Sequence, residues 1–263
     1  MLKENKIKIA WFGLHFGEEP PLVLDKGAGT IFFSGCNLKC VFCQNWQISQ
    51  EGLGKYYTQG EFKKMMMELQ DKGALNIDLV SPTIWAEIIR EPIAEARKEG
   101  LKIPVVWNSN AYESVEILKS FEVLVDFYLP DFKYGDNEIA FKYSGVKNYV
   151  EKAKEAISEM IRQVGVEKVI VRHMIIPNNV ENSKKALRLI KEINPDICLS
   201  LISQYEPTYK ASGSPEINRN VNEKEFKEVF SYMTDLGLEK GWVQDLGSHN
   251  KFLPDFKKEN PFC

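Results

Sequence analysis

The run GCNLKCVFCQN holds three cysteines, Cys36, Cys40 and Cys43, and no other part of the chain so directly suggests chemistry. Three thiolates on one short loop can hold three irons of a [4Fe-4S] cube, leaving the fourth iron free to take a small molecule. Thiolates are the usual ligands of such clusters, whose potentials reach about −700 mV, low enough to push an electron into a reluctant acceptor. The same three residues are therefore read both as metal ligands and as the catalytic set. A pure electron carrier is disfavoured, because three ligands leave one corner unprotected. The rival is a zinc-stabilised binding module without catalysis. A structural zinc site wants four ligands, and Cys198, Cys263 and His15 lack the local spacing to supply the fourth.

The remaining composition narrows the setting. Cys198 and Cys263 are isolated and far apart, unlike the dense even set of a disulfide framework. The opening MLKENKIKIAWFGLHF lacks the long apolar core of a secretion signal, and no apolar run approaches a membrane span of about 18 residues. A reducing cytoplasm is the expected compartment, with no membrane partner. A formal net charge of −3 and the absence of a basic block argue against nucleic acid. With 263 residues, 44% of them hydrophobic, one domain can bury its own core.

The elements that must position the cysteines alternate between strand and helix. Apolar or β-branched runs predict strands over 29–35, 76–82, 103–108, 123–132, 168–177 and 197–205, with a short last strand in GWVQDL. Helical spacing predicts helices over 59–72, 84–100, 115–121, 148–165, 183–193 and 222–236. Thr58 with Glu61, and Asn222 with Glu225, read as capping boxes. Near-continuous apolar strands between amphipathic helices imply a parallel sheet covered on both faces, curled by right-handed crossovers. The expected fold is α/β, a partial (β/α)6 TIM-type barrel. One domain spans 1–263: an N-terminal extension (1–27), the barrel core (28–205), and a C-terminal helix and tail (206–263). In barrels the chemistry gathers at the C-terminal strand ends. Here those ends carry the cysteine loop, Ser81-Pro82-Thr83, Asn108-Ser109-Asn110, Asp131 with Lys133, Arg172 with His173, and Gln204. Loops are polar anyway, but six such ends on one rim favour a shared pocket.

The pattern C-x3-C-x-aromatic-C, with Phe42 in the aromatic slot, resembles the signature of the radical S-adenosylmethionine (SAM) superfamily. The segments HFGEEPPL, GAGTIFFSGCNLKCVFCQNWQIS, LQDKGALNIDLVSPT, YLPDFKYGD, EMIRQVG, VRHMIIP and SLISQYEP resemble the branch of pyruvate formate-lyase-activating-enzyme-like proteins, over roughly residues 15 to 245. The resemblance implies a radical SAM core. Cys36, Cys40 and Cys43 would hold the cube, and SAM would chelate its open iron and be split reductively to a 5′-deoxyadenosyl radical. It further implies that Phe42 lies near the adenine, and that Ser81 and Thr83 stand where many members grip the methionine amino group with Gly-Gly-Glu. Asn108-Ser109-Asn110-Ala111 stands where the activating enzymes have Asp-Thr-Asn-Gly, whose Asp and Thr, with an acid matched by Asp131, hold a monovalent cation beside SAM; Asn108 replaces the first acid. Lys133 and Arg172 match positions near the SAM carboxylate or ribose, and Gln204 replaces a ribose-facing histidine. The implied partners are a flavodoxin or ferredoxin as electron donor and a glycyl-radical enzyme as substrate. A radical reaction on a small molecule or another peptide shares every one of these residues.

Several features have plainer readings. Asp131 with Lys133, and Arg172, can be ion pairs at the barrel mouth. His173 and His249 read as structural or exposed, His15 as packed, and Glu18–Glu19 as a solvated turn. Gly27 and Gly29 read as a tight entry into the barrel, and Met65-Met66-Met67 as helix core.

Overall fold

In the computed structural model, residues 5–244, 246 and 253–262 are described; His249 and Cys263 lie outside them, as does part of GWVQDL. The strands are β1 (Lys6–His15), β2 (Ala28–Phe33), β3 (Lys55–Thr58), β4 (Ile77–Val80), β5 (Val105–Ser109), β6 (Phe127–Pro130), β7 (Ile170–Met174), β8 (Cys198–Ile202) and β9 (Gly241–Val243). The helices are α1 (Pro20–Val23), α2 (Trp46–Ser49), α3 (Gln59–Asp71), α4 (Ala86–Lys98), α5 (Val115–Lys119), α6 (Asn137–Ser144), α7 (Tyr149–Val164), α8 (Val180–Ile193) and α9 (Glu223–Asp235).

One sheet runs β3-β1-β2-β4-β5-β6 and a second β7-β8-β9. From β2 onward every pairing is parallel, and the parallel bridges Tyr128–Val169 and Asp131–Arg172 join β6 to β7. Seven parallel strands thus follow one another in chain order, the arrangement of a partial barrel. Alternation along each strand sorts the two faces. Ile31, Phe33, Leu79, Trp107 and Val171 join the helices in the main core, while Leu22, Val106, Leu129 and Ile170 form a small apolar floor inside. No helix among the described residues is long and apolar enough to cross a membrane.

Local signals act where the sequence places them. Thr58 Oγ1 accepts from Glu61 N (3.2 Å) while Glu61 Oε2 accepts from Thr58 N (2.7 Å), starting α3; Asn222 and Glu225 do the same for α9. Met65 and Met66 are buried in the core, and Met67 packs against it. Gly29 allows a close approach, since a Cβ there would lie 2.7 Å from Asn76 O.

The structure adds to the expected elements and trims one. The N-terminal segment contributes β1, antiparallel to both β2 and β3, where no strand was expected. The strand expected over 123–132 shrinks to β6, because Val123 has φ 66° and is 90% exposed at a turn. Helix α6 was not anticipated, although Asp136 caps its start (Oδ1 accepts from Glu138 N, 2.9 Å) and Gly145, at φ 69°, ends it.

Candidate active site

The cysteine loop follows β2 through Gly35, whose φ of 91° is left-handed and whose added Cβ would lie 2.6 Å from Ile84 Cδ1. Three neighbours hold the loop. From α6, the carbonyls of Ser144 and Tyr143 accept from Lys39 N (3.0 Å) and Val41 N (2.9 Å). From the loop after β5, Tyr112 O accepts from Asn37 Nδ2 (2.6 Å) and Asn110 Nδ2 donates to Asn37 Oδ1 (2.7 Å). From the segment after β8, Thr208 Oγ1 donates to Cys43 O (3.2 Å) and Lys210 N to Val41 O (2.8 Å). Phe42 is buried against Tyr205, ring centroids 5.4 Å apart, so its side chain is part of the core.

All three thiols line one cavity of about 250 Å³, with Phe42, Ser81, Ser109, Asn110, Asp131, Lys133 and Arg172. Each sulfur has a polar neighbour: Leu38 N (3.4 Å) and Asn110 Nδ2 (3.4 Å) donate to Cys36, Ser144 Oγ donates to Cys40 (2.9 Å), and Cys43 lies 3.1 Å from Ser49 Oγ. Burial pushes the Cys36 thiol up to about 11 and Cys43 to about 12, and raises Cys40 as well. Loading iron here must therefore displace protons. Among the described residues, no three His, Cys, Asp or Glu side chains converge closely enough for a single metal ion. Around one zinc, sulfurs at 2.3 Å would lie about 3.8 Å apart, whereas each thiolate of a cube bonds its own iron and stands farther from its neighbours. The donor set fits a cube better than zinc, and among the described residues neither a fourth cysteine nor a histidine lines the cavity. Cys198 begins β8 and packs against the barrel floor.

Beside the thiols runs an ionic chain. Lys133 Nζ contacts Asp131 Oδ2 (2.6 Å), Arg172 Nε donates to Asp131 Oδ1 (2.7 Å), and Arg172 Nη1 to Glu18 Oε1 (3.0 Å). Arg172 Nη2 donates to Asn108 Oδ1 (2.6 Å), and Asn108 Nδ2 to Glu18 Oε2 (2.8 Å). Burial works against ionising Asp131, but Arg172 and Lys133 outweigh it and hold the carboxyl below its usual range. Burial likewise opposes the charge of Lys133, and Asp131 outweighs it. The doublet expected to be a solvated turn is instead part of the interior. Glu19 is 4% exposed and accepts from Ser200 Oγ (3.1 Å) and Trp242 Nε1 (2.5 Å); burial raises its pKa.

Thr83 does not line the cavity. Its hydroxyl donates to Glu113 Oε1 (2.6 Å), which also accepts from Trp107 Nε1 (2.8 Å), while Glu113 Oε2 accepts from Ser109 Oγ (2.8 Å). This buried carboxylate ties the loop after β4 to the loop after β5, where Ser81 (φ 59°) and Ala111 (φ 58°) turn the backbone. Tyr149 is a second hidden support. Its hydroxyl lies 3.1 Å from Asn110 O and 2.8 Å from Asp131 O, and accepts from Lys133 N (2.8 Å). Gln204 stands apart from the thiols, in an adjoining cavity of about 570 Å³. His173 faces away: its Nδ1 donates to Phe132 O (2.7 Å), and burial lowers its pKa to about 4, leaving the ring neutral.

Comparison with known proteins agrees with this architecture. Residues 30–190 match the radical SAM superfamily. A functionally uncharacterized protein of Methanocaldococcus jannaschii is 36% identical over 236 residues, covering 86% of this chain and 67% of that one. The pyruvate formate-lyase-activating enzyme of Clostridium pasteurianum is 26% identical over 193 residues, covering 68% of this chain and 76% of that enzyme. The structure of Streptococcus suis SuiB bound to S-adenosylmethionine shares the fold, with a TM-score of 0.53 and 16% identity over 80% of this chain and 45% of SuiB. With the match covering the cysteine loop and the strands that carry the cavity, the chain belongs to the radical SAM superfamily, whose members use a [4Fe-4S] cluster and SAM.

Proposed function

We propose that Cys36, Cys40 and Cys43 hold a [4Fe-4S] cluster with one open iron, and that SAM binds in the adjoining cavity beside Asp131 and Lys133. Held by those thiolates and reduced, the cluster would supply the electron for reductive cleavage of the SAM sulfonium to methionine and a 5′-deoxyadenosyl radical, which would take a hydrogen atom from a substrate C–H bond. The observation carrying this reading is the convergence of three thiols, and among the described residues no fourth cysteine or histidine, on one cavity that also holds two half-buried cations, Lys133 and Arg172.

The two cations there differ. Arg172 has Asp131, Glu18 and Asn108 as acceptors and is spent on protein partners. Lys133 has one acceptor at 2.6 Å and two further N–H donors to give, so it is the cation that can take the SAM carboxylate. Arg172 orients Asp131 and Asn108. Asn110, bonded to Cys36 Sγ, aligns the first ligand. Phe42 offers only backbone to the adenine, Ser81 supplies a hydroxyl at the rim, and Ser109 and Thr83 act through Glu113. The side chain of Gln204 makes no hydrogen bond among the described residues and can meet a ribose hydroxyl. We place the protein in a reducing compartment such as the cytoplasm, with the electron coming from a flavodoxin or ferredoxin. A second reading, glycyl-radical installation in a partner enzyme, is favoured by the name of the 26%-identical relative.

Anaerobic reconstitution with iron and sulfide, followed by SAM and dithionite, tests the proposal. Methionine and 5′-deoxyadenosine should form. Ala at position 36, 40 or 43 should abolish both, and Cys198→Ala should not. Lys133→Ala should keep the cluster but weaken SAM binding about tenfold, or about 1.4 kcal/mol. A Cys198 variant that loses the cluster while a triplet variant keeps it would overturn the ligand assignment.

A further inference from the structure

We propose that residues 253–262 form a wall of the substrate chamber, and that this chamber takes a small uncharged molecule bearing a ring and an amide or carbonyl. The inference rests on the proposed radical chemistry only for its location. The cavity of about 570 Å³ shares Gln44, Asn45, Val80, Asn108, Arg172 and Ile202 with the cavity holding the thiols. A molecule in the larger cavity therefore borders the place where the radical is generated.

One side of the chamber is the inner face of β1 and β2. Trp11, His15 and Phe32 point inward there, and the C-terminal segment lies on them. The Phe262 ring centroid is 4.0 Å from that of His15, 5.3 Å from Trp11 and 5.5 Å from Phe32. Phe256, 7% exposed, sits 5.2 Å from Phe32. Polar bonds hold the segment in place. Trp11 Nε1 donates to Glu259 O (3.2 Å), Gln47 Nε2 to Asp255 Oδ1 (3.0 Å), and Phe256 N to Gln47 Oε1 (2.7 Å). Gln47 belongs to α2, four residues after Cys43, so the segment is anchored to the same element that carries the cysteine loop. A protein loop entering from this side meets a seated wall.

The lining chemistry selects the occupant. The charged side chains facing the chamber are committed to protein: Glu18 and Arg172 to each other at 3.0 Å, and Glu19 to Ser200 and Trp242. No free charge is left among the described lining residues to pair with an ionic substrate, and burying an unpaired charge is costly. The unspent groups are neutral. The side-chain amide of Asn45 makes no hydrogen bond among the described residues, and Gln244 Oε1 is buried without a partner. Ring faces from Phe32, Trp242 and Phe262 complete the walls. Neutral donors and acceptors between aromatic faces suit a planar, uncharged, amide-bearing molecule.

Calorimetric titration of the full chain, before and after cluster reconstitution, tests this with four probes: benzamide, benzoate, benzylamine and a glycine-centred heptapeptide. Benzamide should bind at least tenfold tighter than either charged analogue. Phe262→Ala and Gln244→Leu should each weaken it about tenfold. Phe262→Trp, which keeps an aromatic seat but fills space, should weaken it too, and thermal unfolding confirms that each variant is folded. The heptapeptide should bind only after truncation at residue 252. Tighter binding of benzoate or benzylamine, no saturable binding of benzamide, or equal heptapeptide binding by the intact and truncated chains would overturn the inference. Cleavage of SAM by the loaded wild-type protein is scored separately, so its failure marks the proposed chemistry and leaves the chamber result readable.

Discussion

Glu113 offers a test in which two substitutions at one position should act in opposite directions. Its carboxylate is buried (4% exposed) and receives three donors. Glu113→Ala strands Trp107 Nε1, which is fully buried, and frees two hydroxyls to seek other partners. At about 1–3 kcal/mol per stranded donor, plus a term for the space left behind, the expected loss is roughly 3–6 kcal/mol. Glu113→Gln is different. Thr83 and Trp107 both donate to Oε1, which the amide oxygen reproduces. Oε2 faces only the Ser109 hydroxyl, which can accept from the new NH2 instead of donating. Burial also raises the Glu113 pKa. A carboxyl with a raised folded pKa contributes stability below its unfolded pKa and loses it as pH climbs through the folded value. The neutral amide escapes that loss, which is about 1.4 kcal/mol for every tenfold weakening of the acid on folding. Glu113→Gln should therefore match the wild type near pH 4 and equal or exceed it at pH 8, while Glu113→Ala is weaker throughout. Urea unfolding followed by tryptophan fluorescence at the two pH values measures this. A glutamine variant as unstable as the alanine variant at pH 8, or a wild type that gains on it as pH rises, refutes the reasoning.

Three further outcomes are expected. Ser144→Ala removes the hydroxyl 2.9 Å from Cys40 Sγ. Hydrogen bonds to cluster sulfurs favour the reduced form, so the midpoint should fall by about 40 mV if the bond is worth about 1 kcal/mol more to that form, as read by a spectroscopic redox titration; an unchanged midpoint counts against Cys40 as a ligand. Gly35→Ala forces a φ of 91° on a residue with a Cβ and presses it toward Ile84, costing about 1–3 kcal/mol and lowering iron content per chain; full iron loading with wild-type melting would contradict the placement of the loop. The hydrogen-bonded pairing with Arg219 (2.7 Å) outweighs burial and lowers Glu225 to about 2, so its stabilisation is present above pH 4.5 and is lost as pH falls toward 2. Arg219→Ala should flatten that acid limb, and an unaltered acid unfolding curve would show that the pair contributes nothing.

The legible parts of the fold were those whose causes are local. The cysteine spacing, the two capping boxes and the apolar strands each lie within a few residues of one another. The start of β1 was also open to reading: Lys6, Ile7, Lys8 and Ile9 alternate, and only the two isoleucines are fully buried. Its second half hides the signal, because Phe12 and Leu14 on one face pack against the main core while the other face is covered by rings from the C-terminal segment, leaving every residue half-exposed. Helix α6 is short, and its flanking Asp136 and Gly145 are common loop residues, so its boundaries outweigh its interior as evidence.

The illegible parts are the partnerships that span the chain. Glu18 reaches Arg172, 154 positions away, and Glu19 reaches Trp242, 223 positions away; in sequence the doublet has no cation near enough to remove it from water. Thr83 reads as a pocket residue because Ser81-Pro82-Thr83 stands where many family members have Gly-Gly-Glu, yet the short 3-10 turn after Pro82 swings its hydroxyl toward Glu113. The same limit governs the two cations. Lys133 follows β6 and Arg172 lies within β7, and their local sequence does not separate the roles proposed for them. What separates them is the number of acceptors already in place: three around the guanidinium and one beside the ammonium. Under the proposed function that division is useful, because Asp131 stays held by Arg172 when Lys133 releases part of its grip to an incoming carboxylate, so no buried charge is left unpaired.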